Sequence, residues 1–485
     1  MTDILWFRND LRLYDNESFS RVVKSNSAIL IYIYDKTLIN RNTVSFYHLK
    51  FIDDSLKDLS NELNEKYNAS LNIYYDHTLN VFRHLSEKYQ IKNIFSNRVY
   101  KERASQLIDN DCEKLFLFKG IEWVKSNQFG IQISHRNRKT WSRDWRMFTS
   151  KKIKPLIKSE CNFIHDHNFE FIDVGRIKND ESKYRQSGGT KAAKNLLSSF
   201  LSSRHQNYQF LMSSPSSSES SCSRLSPHIA YGTISIRDIV TRLNLKIENE
   251  NNVDKKSLTS FKKRLAWHCH FIQKFYDQPA IEYQNMNRAY DGLREDSFDE
   301  SKFNAWKTGL TGFPFIDACM RFVRSTGWLN FRMRAMLVSF ASYQLWLDWR
   351  LTSKHLSKYF TDYEPGIHYS QFQMQSGTTG INTIRIYNPI KQSTDQDPNG
   401  LFIKKWVPEL QKVPDKLVHE PWKLTYLEQK DLDLEIGKHY PNPIVDHHSS
   451  SKIARDKIWR IKKTDEAKFN AQKILQKHAS AKGRR

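Results

Sequence analysis

A serine-rich stretch near the middle of the chain has the composition of an anion-binding turn. Ser221, Ser223 and Ser226 surround Arg224, and a helical pattern begins at Pro227. The first N–H groups of a helix have no partner within the helix, and the helix dipole favours a negative charge at this end. Such a turn can hold a phosphate group. The same residues also suit an ordinary helix start with proline in the first turn, and spacing alone favours this simpler interpretation.

Two arginines interrupt an apolar segment further along the chain. Arg332 and Arg334 are two residues apart, and both lie among hydrophobic neighbours. A buried guanidinium requires a carboxylate partner or a bound anion. Asp362 and Glu364 are candidate partners. An internal salt bridge and a clamp around a charged cofactor are both compatible with this pattern.

A tryptophan beside an arginine is a candidate surface for a nucleobase. Arg264, Trp267 and His268 fall within about one turn of a predicted helix. An exposed tryptophan can stack on a base that has been extruded from a duplex. A tryptophan in an apolar helix more often belongs to the core. The run 268–270 contains two histidines and a cysteine but lacks the spacing of metal ligands, so we predict no metal site.

No pair of residues has the pattern of a hydrolytic centre. The segment 371–375 alternates glutamine with Phe372 and Met374, and it either lines a pocket or forms an amphipathic edge. We find no nucleophile with a neighbouring base and no paired carboxylates. If the protein is an enzyme, a cofactor therefore carries its chemistry.

The composition indicates a folded protein with an anionic partner. The chain has 485 residues, of which 39% are hydrophobic and 13% aromatic, and its formal net charge is +23. A strong basic excess favours nucleic acid as the partner, although a basic surface alone would give the same value. The five cysteines form no C-x-x-C pair, which is typical of a reducing compartment and gives no support for a zinc or iron–sulfur site. The N-terminus has no secretory signal and no apolar run is long enough to span a bilayer, so we expect a cytoplasmic protein, associated with the nucleoid if its source is bacterial.

The elements that must position these residues fall into two classes. Five short apolar runs, separated by gaps that can hold a helix, predict a parallel sheet with crossover helices; they are 4–7, 28–34, 71–75, 93–95 and 115–118. No G-x-G-x-x-G follows the first run, which argues against an ordinary NAD site. The second part is mainly helical, with one long helix predicted over 330–349 and a serine-rich turn over 213–223. The last residues, 452–485, are basic and helical, and we expect them to contact phosphates.

Several blocks, taken together and in order, resemble the cryptochrome/photolyase family. The blocks are WFRNDLRLYDN at 6–16, SRLSPH at 223–228, TGFPFIDACMR at 311–321, GWLNFRMR at 327–334, RIYNP at 385–389, WVPEL at 406–410 and HEPW at 419–422. The resemblance implies an α/β N-terminal domain with a parallel sheet, the Rossmann-like antenna domain, followed by an all-α FAD-binding domain. The corresponding limits are 1–130 for the antenna domain, 131–195 for a connector, 196–450 for the FAD-binding domain and 451–485 for a basic tail.

The resemblance also assigns roles to single residues. Tyr208 matches the tyrosine near the FAD diphosphate. Cys222, Ser223, Leu225 and Ser226 match the flavin-phosphate turn, with Cys222 in place of a usual threonine. Arg334 and Asp362 match a salt-bridged pair beside the flavin ring, with Glu364 nearby. The residues that match those holding the lesion and its phosphates are Trp267, Arg332, Phe372 and Arg385, and Trp349 matches the middle position of the electron relay.

The resemblance implies light-driven repair of UV-damaged DNA. In the family, FAD that has been reduced and excited by light gives an electron to a pyrimidine photoproduct. Cyclobutane dimers are a more common substrate in the family than (6-4) products. A second, light-harvesting chromophore, a folate or a deazaflavin, is often bound, and the sequence does not distinguish them. The alternative is a cryptochrome-type photoreceptor that binds FAD without repair. We expect a monomer.

The chain departs from the family pattern at positions that bear on the substrate and on the relay. Arg264 and Phe331 stand where a glutamate and an asparagine bind cyclobutane dimers. The histidine pair typical of (6-4) repair is absent near 330–331, which leaves His268 and His368 as candidates. The relay position nearest the flavin matches Ser370, next to Tyr369, and the distal position near Asp296 has no tryptophan. A route through Trp346 or a tyrosine would replace it.

Overall fold

The N-terminal part of the chain forms a parallel α/β sheet, as predicted. The computed structural model describes residues 1–134, 136–166, 184–249 and 254–479. The strands are β1 Thr2–Phe7, β2 Ser27–Asp35, β3 Asn72–Asp76, β4 Ile91–Asn97 and β5 Glu122–Ser126, in the spatial order β3-β2-β1-β4-β5. The helices between them are α1 Glu17–Val22, α2 Lys36–Ile39, α3 Phe46–Tyr67, α4 Thr78–Lys88 and α5 Arg103–Phe118. The sheet carries helices on both faces, because successive side chains of a strand point in opposite directions. Leu5 and Phe7 belong to one hydrophobic cluster, whereas Ile4 and Trp6 belong to another.

One predicted strand is wrong. The run 115–118 is the last turn of α5, and the fifth strand begins only at Glu122. Within the run only Phe116 is buried, whereas Leu117 and Phe118 are 84% and 85% exposed. The burial of Ser105, Cys112 and Phe116 follows the spacing of a helix. A four-residue apolar run does not distinguish a strand from the end of an amphipathic helix.

The predicted connector contributes structure of its own. Helix α6, Trp141–Thr149, packs beside the helical part, and strand β6, Asn162–Ile164, pairs in parallel with the start of β2. Helix α7, Thr190–Ser199, completes this region. Residue 135 and residues 167–183 of the predicted connector lie outside the described residues. The four domain limits stay a prediction.

The remainder of the described chain is helical, as predicted. Its α-helices are α8 Tyr208–Leu211, α9 Pro215–Ser221, α10 Ser226–Ala230, α11 Ile236–Asn249, α12 Lys255–Asp277, α13 Glu300–Thr308, α14 Pro314–Thr326, α15 Phe331–Ser339, α16 Trp349–Ser357, α17 Pro365–Ser376, α18 Pro389–Gln396, α19 Leu401–Trp406, α20 Tyr426–Asp431, α21 His447–Lys462 and α22 Asp465–His478. Short 3₁₀ turns lie at Pro279–Glu282, Arg288–Tyr290, Pro408–Leu410 and Pro421–Lys423, and π-helical turns at Phe200–Arg204 and Phe340–Gln344. Helix α14 is buried along most of its length and anchors the core, and α12 lies against α17. None of the helices in the described ranges is both long and apolar enough to cross a membrane.

Three sequence-based interpretations of the helical part need correction. Most of the predicted serine-rich turn over 213–223 is helix α9, which begins at a proline in its first turn. The predicted helix over 330–349 is interrupted, because α15 runs into a π-helical turn and Trp346 adopts a left-handed φ of 57°. Asp348 then caps α16 by accepting the backbone N–H of Arg350. Residues 371–375 lie in α17, so Gln371 and Gln375 share a face while the buried Gln373 lies on another.

The basic C-terminal segment is docked on the helical part. Ala454 and Ile458 of α21 pack with Tyr290 and Tyr343, and Ala467 and Ile474 of α22 are buried. A narrow apolar face is therefore sufficient to hold two helices whose other sides are basic. Residues 480–485 of the predicted tail lie outside the described residues.

Candidate functional site

A bidentate ion pair lies at the centre of the candidate site. Arg334 of α15 and Asp362, which precedes α17, meet through Nη1–Oδ1 and Nη2–Oδ2 distances of 2.9 Å each. Arg334 also donates from Nε to the carbonyl of Leu329 and lies 4.1 Å above the ring of Phe360. Burial acts to raise the pKa of Asp362, but the Arg334 guanidinium outweighs burial and the pKa is lowered. The pairing of these two residues is therefore observed, and their contact with a flavin stays a prediction.

The serine-rich turn reaches the same point. Ser226, at the start of α10, lies close enough to Asp362 to help lower the pKa of that carboxyl group. Leu225 is fully buried and donates its N–H to Ser223 Oγ at 3.4 Å. Cys222 is partly buried, and burial raises the pKa of its thiol to about 12. The four residues assigned to the flavin-phosphate turn and the Arg334–Asp362 pair thus form one continuous site.

Arg224 is a partly buried cation that forms no ion pair with a carboxylate in the described ranges, although Glu219 and Asp362 are close enough to act on its pKa. Its backbone has a left-handed φ of 61°, and its guanidinium lies 4.0 Å above the ring of Trp328. Its Nε and the nearby Ser221 Oγ have no hydrogen-bond partner among the described residues. Burial lowers the pKa of Arg224. A buried unsatisfied cation is costly unless an anion binds, so this turn fits a phosphate or diphosphate group better than it fits a plain helix cap.

Tyr208 lines the same region from α8. It is buried, and its ring meets Phe200 and Phe261 edge to face at centroid distances of 5.7 and 5.9 Å. Its surroundings include Cys222 and Arg264. This position agrees with the predicted place beside the phosphate turn, while the contact with FAD itself stays a prediction.

An exposed aromatic and cationic surface adjoins the site. Trp267 of α12 is 54% exposed and Phe331 at the start of α15 is 46% exposed. The Arg264 guanidinium lies 4.7 Å above the Phe331 ring, and the Arg332 guanidinium lies 6.0 Å from it. Arg332 Nε is buried and has no hydrogen-bond partner among the residues that the structure describes. Arg264, which precedes Trp267 by three residues on α12, thus contacts Phe331 beside Arg332, and both Arg264 and Phe331 depart from the family pattern.

Two other predicted lesion contacts lie in different surroundings. Phe372 is only 2% exposed, and its ring packs 4.5 Å from that of His368. Arg385 is exposed in the loop before α18, and its carbonyl accepts a hydrogen bond from Ser339. Neither residue belongs to the exposed surface around Trp267 described above, and their roles stay predictions.

Two histidines proposed for the pocket are neutral at physiological pH. His368 contacts the carbonyl of Ser353 through Nε2 at 2.9 Å, and burial lowers its pKa to about 3. Burial also lowers the pKa of His268 to about 4. A proton donor needs a pKa close to the working pH, so neither histidine is suited to that role.

The candidate relay tryptophan contacts a tyrosine pair. Trp349 is buried and donates from Nε1 to Asn285 Oδ1 at 2.8 Å. Its ring meets Tyr369 at 6.4 Å, and the Tyr363 hydroxyl donates to the Tyr369 hydroxyl at 3.2 Å. Trp346, the other candidate, has the cations Arg294 and Lys457 at 4.4 and 4.6 Å from its ring. Two cations make it costly to remove an electron from Trp346 and thus disfavour that route.

The two parts of the protein meet at a buried carboxyl group. Glu364 lies 3.5 Å from Lys101 Nζ, which comes from the N-terminal part. Burial raises the pKa of Glu364 to about 7, and Lys101 opposes this effect only in part. Glu364 thus changes charge near neutral pH, close to Asp362.

A cavity that the sequence did not predict lies between the two parts. It has a volume of about 180 Å³. On the side of the sheet it is lined by Arg8, which follows β1, and by Tyr32 and Asp35 of β2. On the side of the helical part it is lined by Tyr231 and Tyr363. Ligands of open parallel sheets bind outside the carboxyl ends of the strands, which is where this cavity lies. Its walls come from several distant segments, so no local motif signals it.

Comparison with known proteins agrees with this geometry. Residues 3–128 match the family model described as DNA photolyase, and residues 261–460 match the FAD-binding domain of DNA photolyase. A deoxyribodipyrimidine photo-lyase of Alkalihalophilus pseudofirmus is 36% identical over 234 residues, a match that spans about half of either chain (48% each). One from Buchnera aphidicola is 28% identical over 93% of this chain and 95% of its own. An archaeal photolyase from Sulfolobus tokodaii, described as holding two FAD molecules and implying a novel light-harvesting cofactor, superposes with a TM-score of 0.78 at 27% identity, covering 95% of this chain and all (100%) of the other.

Proposed function

Because the chain belongs to the cryptochrome/photolyase family and has its FAD-binding domain, we propose that it is a photolyase-type lyase that repairs pyrimidine photoproducts in DNA. The carrying observation is the adjacency of two features. The turn that carries Arg224, whose Nε has no hydrogen-bond partner among the described residues, adjoins the Arg334–Asp362 pair, and Trp267 is exposed on the helix that carries Arg264. FAD, when bound, reduced and excited by light, supplies the electron that splits the photoproduct.

The residues of the phosphate turn and the ion pair would hold the cofactor. Ser221 Oγ and Arg224 Nε are available to a diphosphate, since both are buried and unsatisfied. Asp362 is kept ionised by Arg334, which places a fixed negative charge beside the site. Tyr208 closes the region with an apolar ring.

The exposed surface would receive the extruded bases. Trp267 offers a face for stacking, and Arg264 and Arg332 offer donors to phosphate or carbonyl oxygens. Phe331 adds a second aromatic wall where a polar amide is usual in the family. The net charge of +23 supports attraction of the DNA backbone.

The state of the histidines favours cyclobutane dimers over (6-4) products. His268 and His368 have pKa values of about 4 and 3, so neither carries a proton at neutral pH. The surface residues near Trp267 are cations and an aromatic ring, which bind without transferring a proton. We therefore assign the cyclobutane dimer as the substrate.

The cavity between the two parts supports a second chromophore. Tyr32, Tyr231 and Tyr363 give it aromatic walls, and its charged lining combines Arg8, Arg41 and Lys101 with Asp35 and Glu102. A flat ring system with an anionic group, as a folate or a deazaflavin has, suits such a lining. If the purified protein absorbs more light than its bound FAD accounts for, the additional absorption would reveal this second chromophore.

One assay tests the repair function. The flavin of the purified protein is reduced, and the protein is mixed with oligonucleotides that carry one lesion or the other. The mixture is illuminated, and the amount of restored bases is measured. We expect turnover of the cyclobutane dimer only, in light only. Absence of turnover on both lesions, with FAD bound, would favour the cryptochrome-type photoreceptor.

A further inference from the structure

The connector carries a strip of exposed positive charge that the proposed repair site does not use. We call it the basic strip, and it consists of Lys139, Arg143, Arg146, Lys151, Lys152, Lys154 and Lys158, all of them exposed. Asp144 is the one acidic residue between 139 and 158. Among the residues that the structure describes, Arg143 alone of the seven contacts a carboxylate, that of Asp144 at 3.1 Å. The other six cations have no ion pair within the described ranges, so they repel one another, and a bound polyanion would relieve this repulsion.

The fold holds these cations outward. In α6, Trp141, Trp145 and Thr149 are buried, so Arg143 and Arg146 lie on the opposite side of the helix. After α6 the chain is irregular, yet it is fixed at two further points. The Tyr67 hydroxyl donates to the carbonyl of Ile157 at 3.0 Å, and Ser159 Oγ donates to the carbonyl of Val23 at 2.6 Å.

The basic strip starts next to the proposed lesion surface. Arg138, just before it, is buried and donates from Nη2 to His270 Nδ1 at 2.7 Å. Trp141 meets the ring of the same histidine at 5.5 Å. His270 follows Trp267 by three residues on α12, a rise of about 4.5 Å. From there the strip runs to the edge of the N-terminal sheet, where β6 pairs with β2.

From this arrangement we propose that the basic strip binds the sugar–phosphate backbone of the duplex that flanks the lesion. Its partner is nucleic acid because double-stranded DNA carries a charge about every 1.7 Å, a density that a row of lysines can match. A membrane surface fits less well. Ile153 and Leu156 are half-buried, and Leu156 packs against the core beneath the sheet. Met147 and Ile157 are 60% and 43% exposed, but they lie ten residues apart and do not give the continuous apolar face of a membrane-binding helix. The inference rests on the proposed function for its choice of DNA, and it concerns binding away from the reacting bases.

The test removes four charges of the basic strip and compares salt dependence. The variant combines Lys151→Gln, Lys152→Gln, Lys154→Gln and Lys158→Gln. The control combines Lys92→Gln, Lys119→Gln, Lys412→Gln and Lys430→Gln, which removes four equally exposed lysines that have no ion pair in the described part of the chain. Affinity for an undamaged 30-base-pair duplex is measured by fluorescence anisotropy at several salt concentrations.

We expect the slope of log K against log salt to flatten by about 2–4 in the strip variant, because each phosphate contact contributes about 0.9. The control and the variant with arginine at the same four positions should keep the original slope. An unchanged slope in the strip variant would overturn the proposal. So would loss of binding to phosphatidylserine vesicles with duplex binding intact, since the strip would then be a membrane contact.

A second measurement separates this proposal from the proposed function. Repair of a cyclobutane dimer in a single-stranded pentanucleotide should be the same in the strip variant and the parent, because no flanking duplex is present. If the parent protein repairs neither lesion while its binding to the duplex depends on the basic strip, the proposed repair function is wrong and the proposal about the basic strip is supported. If repair proceeds and the duplex slope does not change, the strip proposal fails alone.

Discussion

At the scale of single residues, the Arg334–Asp362 pair is the clearest point at which a substitution tests the proposed cofactor site. The guanidinium makes two bonds to the carboxylate and one to the Leu329 carbonyl. Removing Arg334 leaves a buried carboxylate without its counter-charge, which costs about 3–5 kcal/mol in comparable cases. We expect Arg334→Ala to lose most of its FAD, measured by flavin absorbance per protein after gel filtration.

A matched control for this prediction is Arg332→Ala. Arg332 lies two residues away on the same helix, but no carboxylate contacts it in the described ranges, so FAD should remain. DNA affinity, by contrast, should fall in this control. Full flavin occupancy in Arg334→Ala would mean that the ion pair does not take part in binding the cofactor.

The aromatic contacts predict which residues carry electrons to an oxidised flavin. Trp349 and Tyr369 are in edge contact, and Tyr369 accepts a hydrogen bond from Tyr363. Trp346 is flanked by Arg294 and Lys457, which oppose formation of a positive charge on its ring. In the presence of a thiol reductant, Trp349→Phe and Tyr369→Phe should each slow light-driven flavin reduction at least several-fold, whereas Trp346→Phe should not. Flavin absorbance during illumination gives the rates, and slowing only in Trp346→Phe would reverse this assignment.

At the scale of elements, periodicity predicted the type of most elements but not where they end. In the apolar run 115–118, Phe116 faces the core, but its neighbours Leu117 and Phe118 are exposed. Their apolar character therefore gave a false signal of a strand. The break between α15 and α16 depends on Trp346 in a left-handed conformation, which tertiary contacts impose and composition does not indicate. The pairing of Arg334 with Asp362 was predictable because a buried arginine requires a carboxylate partner and the family resemblance names this pair, although only Arg334 lies in one of the matching blocks. The position of Arg224 was not predictable, because Glu219 and Asp362 influence its charge while neither forms an ion pair with it in the described part of the chain, and sequence does not give such distances.

Helix α22 is predicted to undock in acid. His478 at its end is buried and contacts Gln278 at 2.7 Å, while Arg138 donates to the His478 carbonyl and to His270. Burial lowers the pKa of His478 to about 2 and that of His270 to about 3, with Arg138 and Lys274 adding to the effect. Because both folded-state values lie below the usual 6.5, the docked form is favoured above about pH 6.5 and loses stability as the pH falls below it. Proteolysis within 465–479 should therefore be several-fold faster at pH 5 than at pH 7.5.

The double variant His270→Gln with His478→Gln is the control for this prediction. Glutamine keeps a hydrogen-bonding group at each place but takes up no proton, so the rate of cleavage should vary little between the two pH values once the intrinsic activity of the protease is corrected. Equal pH dependence in the parent and the double variant would exclude the two histidines as the cause.

At the scale of the whole molecule, the contact between the N-terminal sheet and the helical part carries features that no single segment encodes. The interdomain cavity takes walls from β1, β2 and two tyrosines more than 190 residues further along the chain. Lys101 reaches Glu364 across the same boundary. A resemblance in short blocks predicts the two halves, but the chemistry at their junction emerges only when they are placed together.

Glu364 should make the stability of the junction depend on pH. Its pKa is raised from 4.5 to about 7, so the folded protein holds this proton more tightly than the unfolded chain does. The contribution to stability is fully present below about pH 4.5, falls as the pH rises towards 7 and is lost above it, by up to roughly 3 kcal/mol. Glu364→Gln stays neutral throughout, so its free energy of unfolding relative to the parent should rise between pH 5 and pH 8. Urea unfolding at both pH values measures the difference. In a Lys101→Met background the difference should grow, because the cation that stabilises ionised Glu364 is gone, and a difference independent of pH would mean that this carboxyl group is ionised across the whole range.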